Sequence, residues 1–181
     1  MQERSLSHGF SSAISFVIGG TLLYPELLGP DFESLPRALR DFHSKPLGGR
    51  AVGTVTVHHT STLLARLAGF PPAGENIPLA LEVTASGNCE IWTRRFGSAV
   101  LQSTQRSAGS LLEETAGPVR VLLQVFADGS GMKFESRGAR LWNIPAPLRV
   151  TAEARGDASS WTFEVRISPV GWYRGAVVIL P

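Results

Sequence analysis

From Gly74 to the C-terminus this chain alternates apolar and polar residues with a period of two, and turn signals recur every eight to twelve residues. A repeating pattern of that kind belongs to an antiparallel sandwich or barrel. Ile77, Leu79, Leu81 and Val83 share one face of a strand, and Val119, Val121, Leu123 and Val125 share another. Gly97-Ser98, Ala108-Gly109 and Asp128-Gly129-Ser130-Gly131 read as turns between strands, and Ser86-Gly87-Asn88 as the turn into Cys89–Gly97. With Val100–Arg106, Leu111–Ala116, Met132–Trp142, Val150–Arg155, Trp161–Ser168, Trp172–Leu180 and an earlier run Ala51–His59, the chain carries about nine or ten strands. Ile144-Pro145-Ala146-Pro147 reads as a rigid break.

Before Gly74 the period changes. Leu22–Leu28 and Pro36–His43 read as short helices. In the second, Ser34 is placed to cap, Pro36 to open the first turn, and Leu35, Leu39 and Phe42 to share one face. A third helix, capped by Thr60 or Ser61, runs through Leu63, Leu64 and Leu67 to Phe70 and stops at Pro71-Pro72. The predicted fold is α+β: N-terminal short helices packed on a large curved antiparallel β-sheet or barrel, of the calycin-like or START-like kind that encloses a cavity. The 181 residues suit one domain, 21–181, after an N-terminal arm, 1–20. Ala13–Leu23 is apolar but too short to span a bilayer, and is read as an ordered arm or first strand of a cytoplasmic protein.

The stretch Cys89–Gly97 carries the most chemistry. Glu90, Trp92, Arg94 and Phe96 fall on one strand face, and Arg95 on the other. Trp and Phe in alternation mark an interior face, which then holds two charges where unpaired charge is costly. Glu90 and Arg94 stand about 13 Å apart along the backbone, so each is expected to meet an adjacent strand, Arg94 at Glu114. Trp92, Phe96, Phe134, Trp142, Trp161 and Phe163 are candidates to line a cavity, or simply to fill a core.

Composition narrows the function. The formal net charge is +2, the only lysines are Lys45 and Lys133, and no basic run is interleaved with aromatics, so nucleic acid is not an expected partner. The single cysteine, Cys89, allows no internal disulfide and no cysteine-based zinc site. His58 and His59 are adjacent and point to opposite sides of a strand, so no metal site is expected. Ser103 lacks a nucleophile elbow, and no histidine has an evident acid partner.

Several short motifs together resemble the bacterial domain of unknown function 4166 family. They are Leu28-Gly29 with Leu35-Pro36, Gly53, Gly69-Phe70-Pro71-Pro72-Ala73-Gly74, Ile77-Pro78 and, most specific, Glu90–Gly97. Ser103, Glu114 with Gly117-Pro118, Ile144-Pro145 with Pro147, and Tyr173-Arg174-Gly175 complete the set. The segment from Phe163 to Tyr173 is shorter than the family pattern, and Ala116 stands where an aromatic is expected. The resemblance implies a bacterial domain that often sits beside a dehydrogenase-like domain, and it carries no established activity.

Two functions remain open on the sequence. One is a cofactor-free cyclase or isomerase that folds an apolar, natural-product-like substrate in a β-cavity, without metal or membrane. Glu90, Glu114 and Tyr173 would then move protons, and Trp92, Arg94, Phe96, Ser103, Phe134 and Trp161 would bind the substrate. The other is a non-catalytic accessory domain beside a dehydrogenase-like partner. A monomer or a homodimer fits either. A hollow interior favours the first; a filled core with an exposed apolar patch favours the second.

Overall fold

The structure is a computed structural model that describes residues 22–86 and 88–181. The arm at 1–20, most of the apolar run Ala13–Leu23, and Gly87 of the expected turn lie outside the described residues. Ten strands close into one antiparallel barrel: β1 (Arg50–His59), β2 (Gly74–Ser86), β3 (Cys89–Phe96), β4 (Ala99–Ala108), β5 (Leu111–Ala116), β6 (Val119–Ala127), β7 (Gly131–Leu141), β9 (Arg149–Gly156), β10 (Ser160–Ser168) and β11 (Gly171–Ile179). The ring runs β1 to β7, then β9, β10 and β11, which pairs back onto β1. The expected break at Ile144 contains a two-residue strand, β8 (Ile144–Pro145), that hangs on the end of β7.

Closure follows from the turns and from two glycines. The β3–β4, β4–β5 and β5–β6 hairpins each turn in two residues, and Gly97, Gly109 and Gly117 take φ of 59°, 67° and 53° at their first positions. On the neighbouring strands β1 and β11, a Cβ at Gly53 would lie 1.8 Å from the Ala176 carbonyl oxygen, and one at Gly175 2.2 Å from that of Thr54. Only glycine allows these strands to approach so closely.

The helices close the two ends. At one end lie α1 (Leu23–Leu28), a 3₁₀ turn (Gly29–Ser34) and α2 (Arg37–His43). Leu35, Leu39 and Phe42 are buried as their spacing predicts. The cap differs from expectation: Pro36 is itself the N-cap, and the Ser34 hydroxyl donates to the Asp31 carbonyl instead, because the chain before Pro36 is already a 3₁₀ turn. The Ala38 N–H donates to Asp157 O across the β9–β10 loop, which ties α2 to the barrel rim. At the other end α3 (Thr62–Leu67) starts at Ser61, whose Oγ accepts from the Leu64 N–H. Phe70, just after it, packs on Tyr173 with ring centroids 5.6 Å apart. No helix among the described residues is long and apolar enough to cross a membrane.

The core is the barrel lumen. Trp92, Phe96 and Trp161 are buried and Arg95 is exposed, as the period-two split requires. Trp142 is a correction. It is 62% exposed in the turn between β7 and β8, with φ of 49°, because the strand ends one residue before it.

Candidate functional site

The lumen holds two small hollows on either side of a polar partition. The hollow nearer α1 and α2 has a volume of about 120 Å³ and the one nearer α3 about 90 Å³. Arg94, Glu114 and Tyr173 border both, together with Leu123, Val150 and Val165.

The partition is built from side chains on opposite walls. Arg94 on β3 and Glu114 on β5 point inward on either side of β4, whose Ser103 lies between them. Arg94 Nη2 lies 3.1 Å from Glu114 Oε1, and Arg94 Nη1 donates to Ser103 Oγ at 2.7 Å. Ser103 Oγ donates in turn to the same Glu114 Oε1 at 2.6 Å. Arg94 is thus the partner of Glu114 that the sequence suggested. Tyr173 enters from β11, five strands from Glu114's β5 in a ring of ten. Burial raises its phenol pKa above the ordinary value; the charge of Arg94 lowers it and that of Glu114 raises it. Burial works to lower the pKa of Arg94, but the charges of Glu114, Tyr173 and Tyr24 and the hydrogen bond to Glu114 together outweigh it, so the guanidinium stays protonated.

Glu90 stands apart. It does not border either hollow, and it meets its own strand: Trp92 Nε1 donates to Glu90 Oε2 at 2.8 Å. Both lie on one strand face two residues apart, which lets the indole reach back. The expectation that Glu90, Arg94, Glu114 and Tyr173 gather at one end of a cavity is therefore corrected. The last three meet in mid-barrel, while Glu90 lies beyond Trp92 towards the β2–β3 turn. Ser103, 2% exposed, braces the ion pair without bordering a hollow. Trp92, Arg94, Phe96, Phe134 and Trp161 all line the hollow beneath α1 and α2. Arg174, also a matched residue, faces outward with its guanidinium 5.0 Å from the Trp172 ring centroid.

Three residues of the site escaped the sequence reading. Gln105 is cross-strand neighbour to both Glu90 and Glu114, and the Tyr24 hydroxyl donates to its Oε1 at 2.8 Å. His43 packs against Tyr24 with ring centroids 4.0 Å apart and planes tilted by 45°, and both line the hollow. Two signals were present. Gln105 continues the two-residue period of Leu101 and Ser103, and His43 lies four residues after Leu39 on the buried face of α2.

Burial sets the charge states here. It lowers the His43 imidazole pKa to about 3, so the ring is neutral. It raises the Glu90 carboxyl to about 7, although the Trp92 donor pulls the other way. Between its ordinary 4.5 and 7, folded Glu90 holds a proton that the unfolded chain has lost, so stability falls as pH rises through that window. His43 acts oppositely. Between 3 and 6.5 the unfolded chain holds the extra proton, so stability falls as pH drops. From pH 4.5 to 6.5 the two slopes offset each other. Glu90→Gln should remove one of them and gain about 3 kcal/mol over wild type between pH 4.5 and pH 8. Urea melts at both pH values test this; a pH-independent difference would mean that folded Glu90 titrates like a solvated carboxyl.

Outside the lumen, an open groove of about 470 Å³ runs over β1, β9, β10 and β11 past Thr54, Thr56, Asn76, Thr162 and Arg174. It is shallow, and Arg155 there pairs with Glu153. On the outer wall, buried Glu113 bridges Arg106 and Arg120 at 2.6 and 2.5 Å, a brace across β4, β5 and β6. Among the described residues, no group of three His, Cys, Asp or Glu side chains is arranged to hold a metal ion. His59 Nε2 donates to the Pro71 carbonyl at 2.8 Å, and His58 stacks on Trp172.

The fold and site define a closed antiparallel β-barrel, plugged by short helices, with a polar partition in an otherwise apolar lumen. Comparison with protein-family models, curated proteins and solved structures found no match to this chain.

Proposed function

We propose that this protein binds a small, mostly apolar molecule inside the barrel. The observation that carries the reading is an ion pair, Arg94–Glu114, on the wall of a mostly apolar hollow in the lumen. A few convergent polar groups in an apolar pocket are the usual composition of a ligand site. A cofactor-free cyclase or isomerase is the enzymatic form of the proposal. Glu114 is a proton acceptor and Tyr173 a proton donor on facing walls, the minimum set for moving a proton within a confined substrate. Glu90, away from the hollow, then tunes the barrel end and takes no part in proton transfer. The resemblance to the domain of unknown function 4166 family, a bacterial and cytoplasmic setting, and a monomer or homodimer belong to the same proposal.

Ala152→Leu tests it. Ala152 lines the hollow and is half-buried, so the larger side chain has space to enter. Native mass spectrometry of the purified chain should show a bound small molecule that the variant loses while its melting temperature stays close to wild type. Equal ligand occupancy in both proteins would place the ligand elsewhere and defeat the reading.

A second reading has its own support. Trp142, in the turn before β8, and Ile144, at the start of β8, are 62% and 68% exposed. An apolar surface of that kind fits an accessory domain that docks beside a dehydrogenase-like partner.

A further inference from the structure

The hydrogen bonds of the partition are incomplete. Glu114 Oε1 accepts from both Arg94 and Ser103, whereas Oε2 has no partner among the described residues. The Tyr173 hydroxyl has none among them either, although the residue is buried. No fully enclosed side-chain nitrogen or oxygen among the described residues lacks a partner. These two oxygens therefore border open space, and the space both residues border is the pair of hollows.

We propose that the ligand is an uncharged, largely apolar molecule bearing a hydroxyl group, which donates to Glu114 Oε2 and accepts from Tyr173 Oη. The inference rests on the ligand-binding reading and narrows its chemistry. The charge count comes first. Arg94 and Glu114 neutralise each other, His43 is neutral, and Glu153 is paired with Arg155. A carboxylate, a phosphate or an amine would bring a third, uncompensated charge into an apolar lumen. The donor count comes second. An ionised carboxylate only accepts, so its partner must carry a proton to donate. A ketone or an ether satisfies Tyr173 and leaves Glu114 Oε2 bare; a hydroxyl satisfies both. Size comes third. A dry engineered cavity of about 150 Å³ takes benzene, so at about 120 Å³ the larger hollow holds at most a single six-membered ring.

The test uses the whole chain and four probes: cyclohexanol, cyclohexanone, cyclohexanecarboxylate and benzene. Binding is followed by NMR through the indole N–H signals of Trp92 and Trp161, which line the hollow. Cyclohexanol should bind roughly fivefold more tightly than cyclohexanone, and cyclohexanecarboxylate more than about tenfold more weakly than cyclohexanol. Tyr173→Phe removes one unpaired hydroxyl and keeps the ring, so the barrel should stay folded. In it cyclohexanol should weaken roughly three- to tenfold, with benzene unchanged. A carboxylate or ketone that binds as well as the alcohol overturns the assignment, as does an unchanged alcohol-to-benzene ratio in the variant. If benzene binds without any preference for a hydroxyl, this inference alone fails. If no probe, benzene included, shifts either indole signal, the ligand-binding reading fails with it.

Discussion

Arg94→Met should cost the fold about 3–5 kcal/mol, the usual penalty for removing one partner of a buried ion pair. The guanidinium makes bonds to Glu114 and Ser103 and lies 5.0 Å from the Trp92 ring centroid. Its loss leaves the Glu114 carboxylate in an apolar lumen with a single hydroxyl donor. The triple variant Arg94→Met, Ser103→Ala, Glu114→Leu should recover most of that loss, because it removes the ion pair and its bridging hydroxyl at once. Urea denaturation of the two proteins decides the matter. A loss under about 1 kcal/mol in the single variant would put the pair in contact with water, and a triple variant as unstable as the single one would show that the charges themselves hold the barrel.

Trp92→Ala should cost about 3–5 kcal/mol, the range for truncating a buried large aromatic. The side chain is 8% exposed, its ring centroid is 5.8 Å from those of Phe42 and His43, and it carries the donor to Glu90. It joins the strand wall to the α2 plug, so truncation loosens both. Trp92→Phe separates packing from hydrogen bonding. It keeps most of the ring area and removes the indole N–H, so it should lose about 1–3 kcal/mol, chiefly at high pH where Glu90 is ionised. Equal losses in the two variants would mean that the Glu90 bond, and not the ring, carries the contribution.

Much of the barrel was legible in the sequence because strands have a short, unambiguous period. The inward set Glu90, Trp92, Arg94 and Phe96 follows from alternation alone, and so does outward Arg95. The Arg94–Glu114 pair was legible for a second reason: two opposite charges on inward faces two strands apart have few other places to go. Trp142 was misread because alternation does not say where a strand ends. Its left-handed backbone in the turn takes it out of the period. Glu90 was misplaced because strand spacing suggested only adjacent strands as partners, whereas an indole two residues along the same face reaches back to it. Tyr24 and His43 were missed because short helices give too few turns to fix which face meets a barrel end.

The sequence by itself determined that this chain forms an antiparallel β-structure after short helices, which strand faces turn inward, and that two charges must find partners inside. Those are local properties, fixed by backbone period, turn residues and the cost of burying a charge. Only the tertiary structure decided that the sheet closes on itself by pairing its first strand, β1, with its last, β11. Closure brings Tyr173 across the lumen to face Glu114, although the two residues are 59 positions apart in the sequence and five strands apart around the ring. It also leaves space on both sides of them. Residue identity limits what a wall can be made of, but a hollow is a property of how walls meet, and that depends on contacts between strands far apart in the chain.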